Sequence, residues 1–472
     1  MVFVVGAGSL GAEISAARLL APYFGASTII WANTIATVLV ALSAGYALGG
    51  RLADRRADLS GLSGIVLTAA ALLALVPFVS DPFLKLSVKA LGALSVGAFV
   101  GSLAAVLVLV AIPVMLLGTV APYANRLALT DTSETGTVTG SLYAISTAGS
   151  LAGTFLAALL LIPLVGTHRT FLVFALSLAL VAAPGVGSKR FLLVPLAVGA
   201  LLAVPPAAIG SGVAGGRVIY WAETPYQYVR VLQLPSGERW LQLNEGVAVH
   251  SDYRPWSWLT GGYWDQFLVL AHDPSQVAIL GDAAGTVARE YGHFYPRTRV
   301  DAVELDGTLN AVGQRYFDLR GPNLHFYTAD ARPWLAANRK RYDAIFLDAY
   351  RQPYIPFYLL TKEFFENVRA HLIRGGVIAV NVGHVPGSDA LEKVTSATLH
   401  AVFPYTMRDV VSQTNSIVVA SDAPLPNGTL SKFGVTATLT PALSGGSVYT
   451  DDRAPVEWLT DLSILRYATG AR

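Results

Sequence analysis

The 472-residue sequence contains no cysteine, which excludes disulfides and thiolate metal sites. Its eight histidines are scattered, without an H-x-x-x-H or H-E-x-x-H pair, so a histidine-built metal centre is not expected. Charge is scarce too: Asp, Glu, Lys and Arg make up 14% of the chain, against about 25% in soluble domains. Nor is there a basic excess. The formal net charge is +2, far from the balance that nucleic-acid binding exploits.

The shortage of charge is confined to one half. Before Ala214 the chain has ten Lys and Arg and six Asp and Glu, whereas the remainder has 23 and 25, an ordinary soluble balance. Apolar stretches of spanning length recur in the first half, at residues 2–20, 28–49, 62–79, 97–120, 138–165, 170–183 and 191–208. About 20 apolar residues cross a bilayer, so residues 1–210 read as a polytopic α-helical membrane domain of about seven spans. The opening stretch lacks the basic start of a cleaved signal. Residues 82–96 read as interfacial or re-entrant. Small residues at 146–153 permit close helix packing. Glu13, an acid within the first span with Arg18 five residues on, marks either a packing pair or a substrate or ion path. The positive loop at 49–56 belongs in the cytoplasm by the positive-inside rule, and seven alternating crossings would then leave the second half outside. Chemistry based on a cytosolic nucleoside requires the opposite. The expectation is a multi-pass cell-membrane protein with its catalytic domain cytoplasmic.

A Pro/Gly/Ala linker, residues 205–216, ends the apolar half. Short alternating runs follow at 226–234, 239–243 and 247–250, separated by Pro235-Ser236-Gly237 and Asn244-Glu245-Gly246. They read as a small antiparallel sheet within residues 217–255. Residues 256–472 read as a Rossmann-like, methyltransferase-type domain that opens with a tryptophan-rich helix at 256–270. At its centre an apolar run, 277–280, ends in Gly281-Asp282-Ala283-Ala284-Gly285; a helical stretch leads to a second run, 300–305, containing Glu304 and ending near Asp306. This is the strand, glycine turn, helix, strand order of a nucleotide-binding unit. Glu304 lies 23 residues after Gly281, near the spacing of about 20 for an acid that grips ribose hydroxyls. The pattern then repeats. Residues 324–328 lead to Asp330, 344–347 to Asp348 and 376–380 to Asn381. Apolar strands alternating with helices imply a doubly wound, mostly parallel sheet, which binds ligands beyond the carboxyl ends of its strands. Four strands therefore aim carboxylates at one crevice.

These motifs resemble the spermidine synthase (polyamine aminopropyltransferase) family, in its membrane-fused form, over about residues 217–385. The likeness runs through Tyr226-Gln227, the glycine turn followed by Arg289-Glu290, Val303-Glu304-Leu305-Asp306, Thr328-Ala329-Asp330 and Phe346-Leu347-Asp348. Ala21-Pro22-Tyr23-Phe24-Gly25 and residues 49–56 are similar to the hydrophobic half of the fused members. The resemblance implies a transferase that moves an aminopropyl group from decarboxylated S-adenosylmethionine to an amine and releases methylthioadenosine, without a metal. It implies that Glu304 holds the ribose hydroxyls and Asp330 the adenine amino group, with Gln227, Gly281, Asp282 and Gly285 completing the nucleoside site. Asp348 would orient and deprotonate the attacking amine, and Tyr263, Asp265, Tyr350 and Arg351 would face it.

The chain departs from the family at three places. Ala284 stands where the family has Asp. Ala349-Tyr350-Arg351 replaces Ser, Ser or Thr, and a second Asp, so a cation sits where an acid would hold a dicationic polyamine. Tyr263-Trp264-Asp265 replaces Tyr, His or Gln, and Glu. Residues 450–457 read as either a flap that closes the pocket or a solvated turn. Two alternatives remain open. One is another S-adenosylmethionine-dependent enzyme, such as a methyltransferase, with Arg351 on the methionyl carboxylate. The other is a transporter or sensor regulated by the nucleoside domain. The expected partners are a small amine and a lipid bilayer, with no nucleic acid; a homodimer is left open.

Overall fold

A computed structural model describes the chain apart from residues 25–27, 56, 95–96, 130–134, 205–214, 245–247, 352–353 and 470–472. Most of the expected linker, Glu245 and Gly246 of the expected turn, Gly25 and Arg56 thus lie outside the described residues. The chain divides into two compact units, Met1–Ile209 and Gly210–Arg472.

The first unit is helical. Among the described residues six helices are long and apolar enough to cross a membrane: Val2–Phe24, Ile30–Arg55, Leu59–Leu84, Gly101–Ala128, Thr135–Val165 and Thr167–Val186. The seventh apolar stretch forms a shorter helix, Arg190–Leu201. Residues 82–94 continue the helix Leu59–Leu94; Pro77 and Pro82 each withdraw a backbone donor without ending it. The small residues at 146–153 have the expected use. A Cβ on Gly149 would stand 2.0 Å from the Phe3 carbonyl oxygen, and one on Gly153 2.1 Å from that of Ala7. Two helices can touch backbone to backbone only where side chains are absent.

The second unit opens with four strands, β1 (Arg217–Glu223), β2 (Tyr228–Gln233), β3 (Arg239–Leu243) and β4 (Val249–Tyr253), paired antiparallel in chain order. The first of these is absent from the sequence reading. The tryptophan-rich segment is helical only over Tyr263–Leu270. Residues before it stay in a loop because side chains claim their backbone donors. Asp265 accepts hydrogen bonds from the Thr260 N–H at 3.0 Å and the Gly261 N–H at 2.8 Å, and Ser257 from the Leu259 N–H at 3.0 Å.

Nine further strands form one sheet: β5 (Gln276–Leu280), β6 (Arg299–Glu304), β7 (Leu324–Thr328), β8 (Tyr342–Leu347), β9 (Leu372–Gly383), β10 (Tyr405–Val410), β11 (Asn415–Ser421), β12 (Gly428–Lys432) and β13 (Val435–Pro441). Their spatial order is β12-β13-β10-β11-β9-β8-β5-β6-β7. The five strands from β9 to β7 are parallel, as a doubly wound sheet requires. The other four pair antiparallel and extend the sheet beyond what the apolar runs predict.

Period-two alternation sorts the parallel strands between two cores. Ala278, Leu280, Ile345, Leu347, Ile378 and Val380 enter one; Val277, Ile279, Ala344, Phe346, Val377 and Ala379 enter the other. Helices cover both faces, which is why these strands read as unbroken apolar runs. Successive strands run β5, β6, β7 to one side and β8, β9 to the other, so the order reverses between β5 and β8. Leu280 pairs with both Val303 and Leu347, and the residues that follow therefore emerge side by side.

Gly281 makes this closeness feasible. Its φ is +87°, and a Cβ there would lie 2.5 Å from the Ala349 Cα. Gly281→Ala is expected to cost more than about 2 kcal/mol, combining a left-handed backbone with a backbone clash. Thermal unfolding of the full chain checks this, and an unchanged transition would contradict it.

Candidate active site

The tip of β8 carries Asp348 on two donors. Tyr263, at the first turn of its helix, donates its hydroxyl to Oδ2 at 2.8 Å, and Asn381 in β9 donates Nδ2 to Oδ1 at 2.8 Å. Asn381 is itself held through Oδ1 by Asn415 Nδ2 at 3.0 Å, across the antiparallel β9–β11 pair. Burial pushes the Asp348 carboxyl up to about 7; the Asn381 and Tyr263 hydrogen bonds pull it down, and the Glu304 charge adds to the push. The carboxylate is therefore oriented from both sides and titrates near neutrality.

Glu304 ends β6. Its Oε2 accepts from the Ala283 N–H and its Oε1 from the Asp306 N–H, each at 3.0 Å. Burial raises it to about 7 against those backbone donors. Asp306 ties the small sheet to this tip: Thr224 Oγ1 donates to its Oδ2 at 2.7 Å, and its Oδ1 caps the helix Gly307–Tyr316 at the Thr308 N–H. Thr224 Oγ1 also accepts from the N–H of Gln227 at 3.0 Å. That side chain thereby sits on a turn anchored to the β6 tip.

Asp282 follows Gly281 and is 5% exposed, and neither of its carboxyl oxygens has a hydrogen-bond partner. Burial drives its pKa well up and the Glu304 charge drives it further; the Ala288 N–H pulls it down, and the Asp348 charge adds a smaller push. An acid in that state holds a proton or awaits a cation. Ala284 is fully buried against Val229, Leu241 and Leu309, so an acid in its place would face the core. Gly285, at φ +89°, starts the helix Thr286–Phe294 with Leu319 where a Cβ would be.

Asp330, after β7, caps the helix Ala331–Ala337 through the Arg332 N–H and accepts the Tyr358 hydroxyl at 2.8 Å. One bond per oxygen leaves lone pairs for a ligand amine. Residues 450–457 dock beside it, where Asp451 takes Arg332 Nη1 at 2.7 Å and the Thr361 hydroxyl at 2.7 Å. The remaining sites diverge. Asp265 is spent on the Thr260–Gly261 loop, including the Thr260 hydroxyl at 2.6 Å. Tyr350 is turned inward, donating to the Asn381 carbonyl at 3.0 Å and accepting from the Gly383 N–H. Arg351 is exposed.

The arrangement thus gathers Asp282, Glu304 and Asp348 at the β5/β8 reversal, with Asp330 one strand further along. Asn381, Asp306, Thr224 and Tyr358 were not picked out as site residues by sequence. Their partners lie 28 to 82 positions away, and only the fold brings them together.

No family model matches the chain. It is 36% identical over 191 residues to a probable polyamine aminopropyl transferase of Bifidobacterium longum, covering 40% of this chain and 42% of that protein. It is 29% identical over 166 residues to a polyamine aminopropyltransferase of Vibrio vulnificus, covering 34% and 54%. Over those stretches the chain is a homologue of the polyamine aminopropyltransferases. The matches span about half the length of these curated relatives. Among solved structures, a probable spermidine synthase from Corynebacterium glutamicum is similar at 20% identity and a TM-score of 0.39, covering 55% of this chain and 95% of that one.

Proposed function

We propose that the protein is a membrane-anchored aminopropyltransferase that passes the aminopropyl group of decarboxylated S-adenosylmethionine to an amine. The observation that carries this reading is Asp348: oriented by Tyr263 and Asn381, raised to about 7, and set beside Asp282 and Glu304. An amine is a nucleophile only after losing its proton, and a carboxylate titrating near neutrality can accept it. The sulfonium is already an activated leaving group, so holding the two reactants in line supplies much of the rate. Glu304 holds the ribose and Asp330 the adenine. Asp282 offers its unpaired carboxyl to the cationic end of the co-substrate.

The pH profile follows from Asp348. Its carboxylate is the active form, so kcat/KM is expected to rise with pH and level off above about 7. Asn381→Ala removes a donor that favours the carboxylate. The midpoint should then move to higher pH, by about one unit. A midpoint that stays or falls would contradict the assignment.

A six-helix count supports a cytoplasmic catalytic unit. With the 49–56 loop inside, six crossings return the chain to the inside after Val186. Among the described residues Arg190–Leu201 is shorter than these six helices, and leaving it out of the count avoids the conflict posed by seven spans.

Mass spectrometry of products tests the function, with the full chain in detergent given decarboxylated or intact S-adenosylmethionine and a panel of amines. Methylthioadenosine and an aminopropylated amine are expected. S-adenosylhomocysteine formed only from the intact cofactor would overturn the reading in favour of a methyltransferase.

A further inference from the structure

We propose that the turn between β10 and β11 positions Asp348 through a one-way line of hydrogen bonds, running from Ser412 through Thr414, Asn415 and Asn381, and that Asn415 is the positioning residue that keeps an N–H donor facing the acid. This rests on the aminopropyl-transfer reading and specifies what holds its proton acceptor ready.

Each link has one donor and one acceptor. Ser412 Oγ accepts the N–H of Thr414 and the N–H of Asn415, both at 3.1 Å. A backbone N–H can only donate, so these two bonds fill the lone pairs of the hydroxyl and leave its hydrogen to give. That hydrogen goes to Thr414 Oγ1, 3.2 Å away. Thr414 Oγ1 donates in turn to Asn415 Oδ1 at 3.4 Å, Asn415 Nδ2 to Asn381 Oδ1 at 3.0 Å, and Asn381 Nδ2 to Asp348 Oδ1 at 2.8 Å. The direction set at the exposed turn is kept across β11 and β9 to the tip of β8. Bonds in such a chain polarise one another in the same sense.

Direction matters because an amide has two unlike ends. The backbone of Asn381 is fixed: it pairs with Ile417, its carbonyl accepts the Tyr350 hydroxyl at 3.0 Å, and the residue is 2% exposed. The last torsion of its side chain is two-fold, so nitrogen and oxygen can change places. With nitrogen towards Asp348 the amide stabilises the carboxylate. With oxygen there it would repel the carboxylate and accept a hydrogen bond from the protonated acid. Turning Asn381 over would set its NH2 against that of Asn415. Turning Asn415 as well would set an NH2 against the Thr414 hydroxyl hydrogen already directed at it. The line therefore holds Asp348 in the form that takes a proton from an ammonium.

Other groups face Asp348 but do not belong to the line. The charges of Glu304 and Asp282 disfavour its ionised form, and the phenol of Tyr263 donates to its other oxygen. Tyr350, two residues on, is turned to the Asn381 carbonyl. His384, just past β9, is turned to the Val385 carbonyl at 3.2 Å and the Ser416 hydroxyl at 3.4 Å.

The test follows methylthioadenosine release by the full chain from decarboxylated S-adenosylmethionine and the best amine of the panel, as kcat/KM against pH. Asn415→Asp sets an acceptor-only group beside Asn381, which must then turn its NH2 away from Asp348 and its oxygen towards it. The midpoint is expected to rise by about one to two pH units, with the rate above it kept within a few-fold. Asn415→Ala should raise it by less. Asn381→Ala has no amide to turn, so adding Asn415→Asp there should move the midpoint by less than half as much, through charge alone. The carboxyl carbon NMR signal of Asp348, identified by its loss in Asp348→Asn, should titrate with the same displacements, a readout that needs no turnover. A purely structural role for Asn415 would lower the unfolding temperature and the plateau rate and leave the midpoint in place. That result would overturn the proposal, as would equal shifts with and without Asn381. If the unaltered chain releases no methylthioadenosine, yet Asn415→Asp displaces the carboxyl signal mainly where Asn381 is present, aminopropyl transfer falls and the line of hydrogen bonds stands.

Discussion

Asp348→Asn is expected to lower kcat by about 10² to 10⁴, the range for removing a positioned acid or base, while leaving methylthioadenosine affinity within a few-fold of the original. The amide matches the carboxyl in shape and can still meet Tyr263 and Asn381, so the tip of β8 should keep its geometry. What it cannot do is accept a proton from an ammonium. The residual rate should also be independent of pH, since the group responsible for the rise through about 7 is gone, so the loss is largest above about 7. Steady-state rates and calorimetry on the same preparation check both halves. A variant that retains the original turnover would move the chemistry away from β8.

The second large effect concerns Asp282 and has opposite signs for stability and binding. This acid is buried, and its folded pKa is raised by burial first and by the Glu304 charge next, against the lowering effect of the Ala288 N–H. Between the unfolded value near 4 and the raised folded value, the native state holds a proton that the unfolded chain has lost. Stability from this group is therefore present at low pH and is lost as pH rises through the folded pKa. Asp282→Asn removes that liability. At pH 8 it should raise the unfolding temperature by a few degrees, and at pH 4 it should change little. The same change should weaken decarboxylated S-adenosylmethionine by about tenfold to a hundredfold, because a charge-assisted contact to its cationic end is lost. Intact S-adenosylmethionine, whose carboxylate the acid repels, should lose less. A lower unfolding temperature at pH 8, or equal losses for both forms, would contradict this account.

Much of the fold was legible because its central strands are buried on both faces. Val277–Leu280 and Ala344–Leu347 are continuous apolar runs, each stopped by an acid, and such runs belong to parallel sheets covered by helices. The antiparallel strands give a weaker signal. Tyr405–Val410 has Tyr405 and Val410 exposed with Asp409 buried, which blurs the alternation. The turn between β12 and β13 is Phe433-Gly434, with positive φ at both positions, where Asn-Gly would have announced a hairpin. Residues 256–262 looked helical by composition, but Ser257 and Asp265 hold their backbone in a loop.

The site divides in a similar way. Its acids could be found because each follows a strand, and strand ends are visible in sequence. Their supporting residues could not. Asn381 reaches Asp348 only because β8 and β9 are parallel neighbours, and Asn415 reaches Asn381 only through an antiparallel strand that sequence did not announce. Tyr263 and Asp265 are two residues apart, yet the helix turns one to Asp348 and the other to its own loop. Spacing alone cannot tell such neighbours apart.

The central claim is that Asp282, Glu304 and Asp348 line one pocket that holds an adenosyl group. Calorimetric titration of the full chain with methylthioadenosine, repeated on Glu304→Gln, tests it most directly. The account predicts a single saturable site whose affinity falls by about tenfold or more in the variant, where a charged acceptor for ribose hydroxyls is lost. No binding by the unaltered protein, or the same affinity in both, would contradict it.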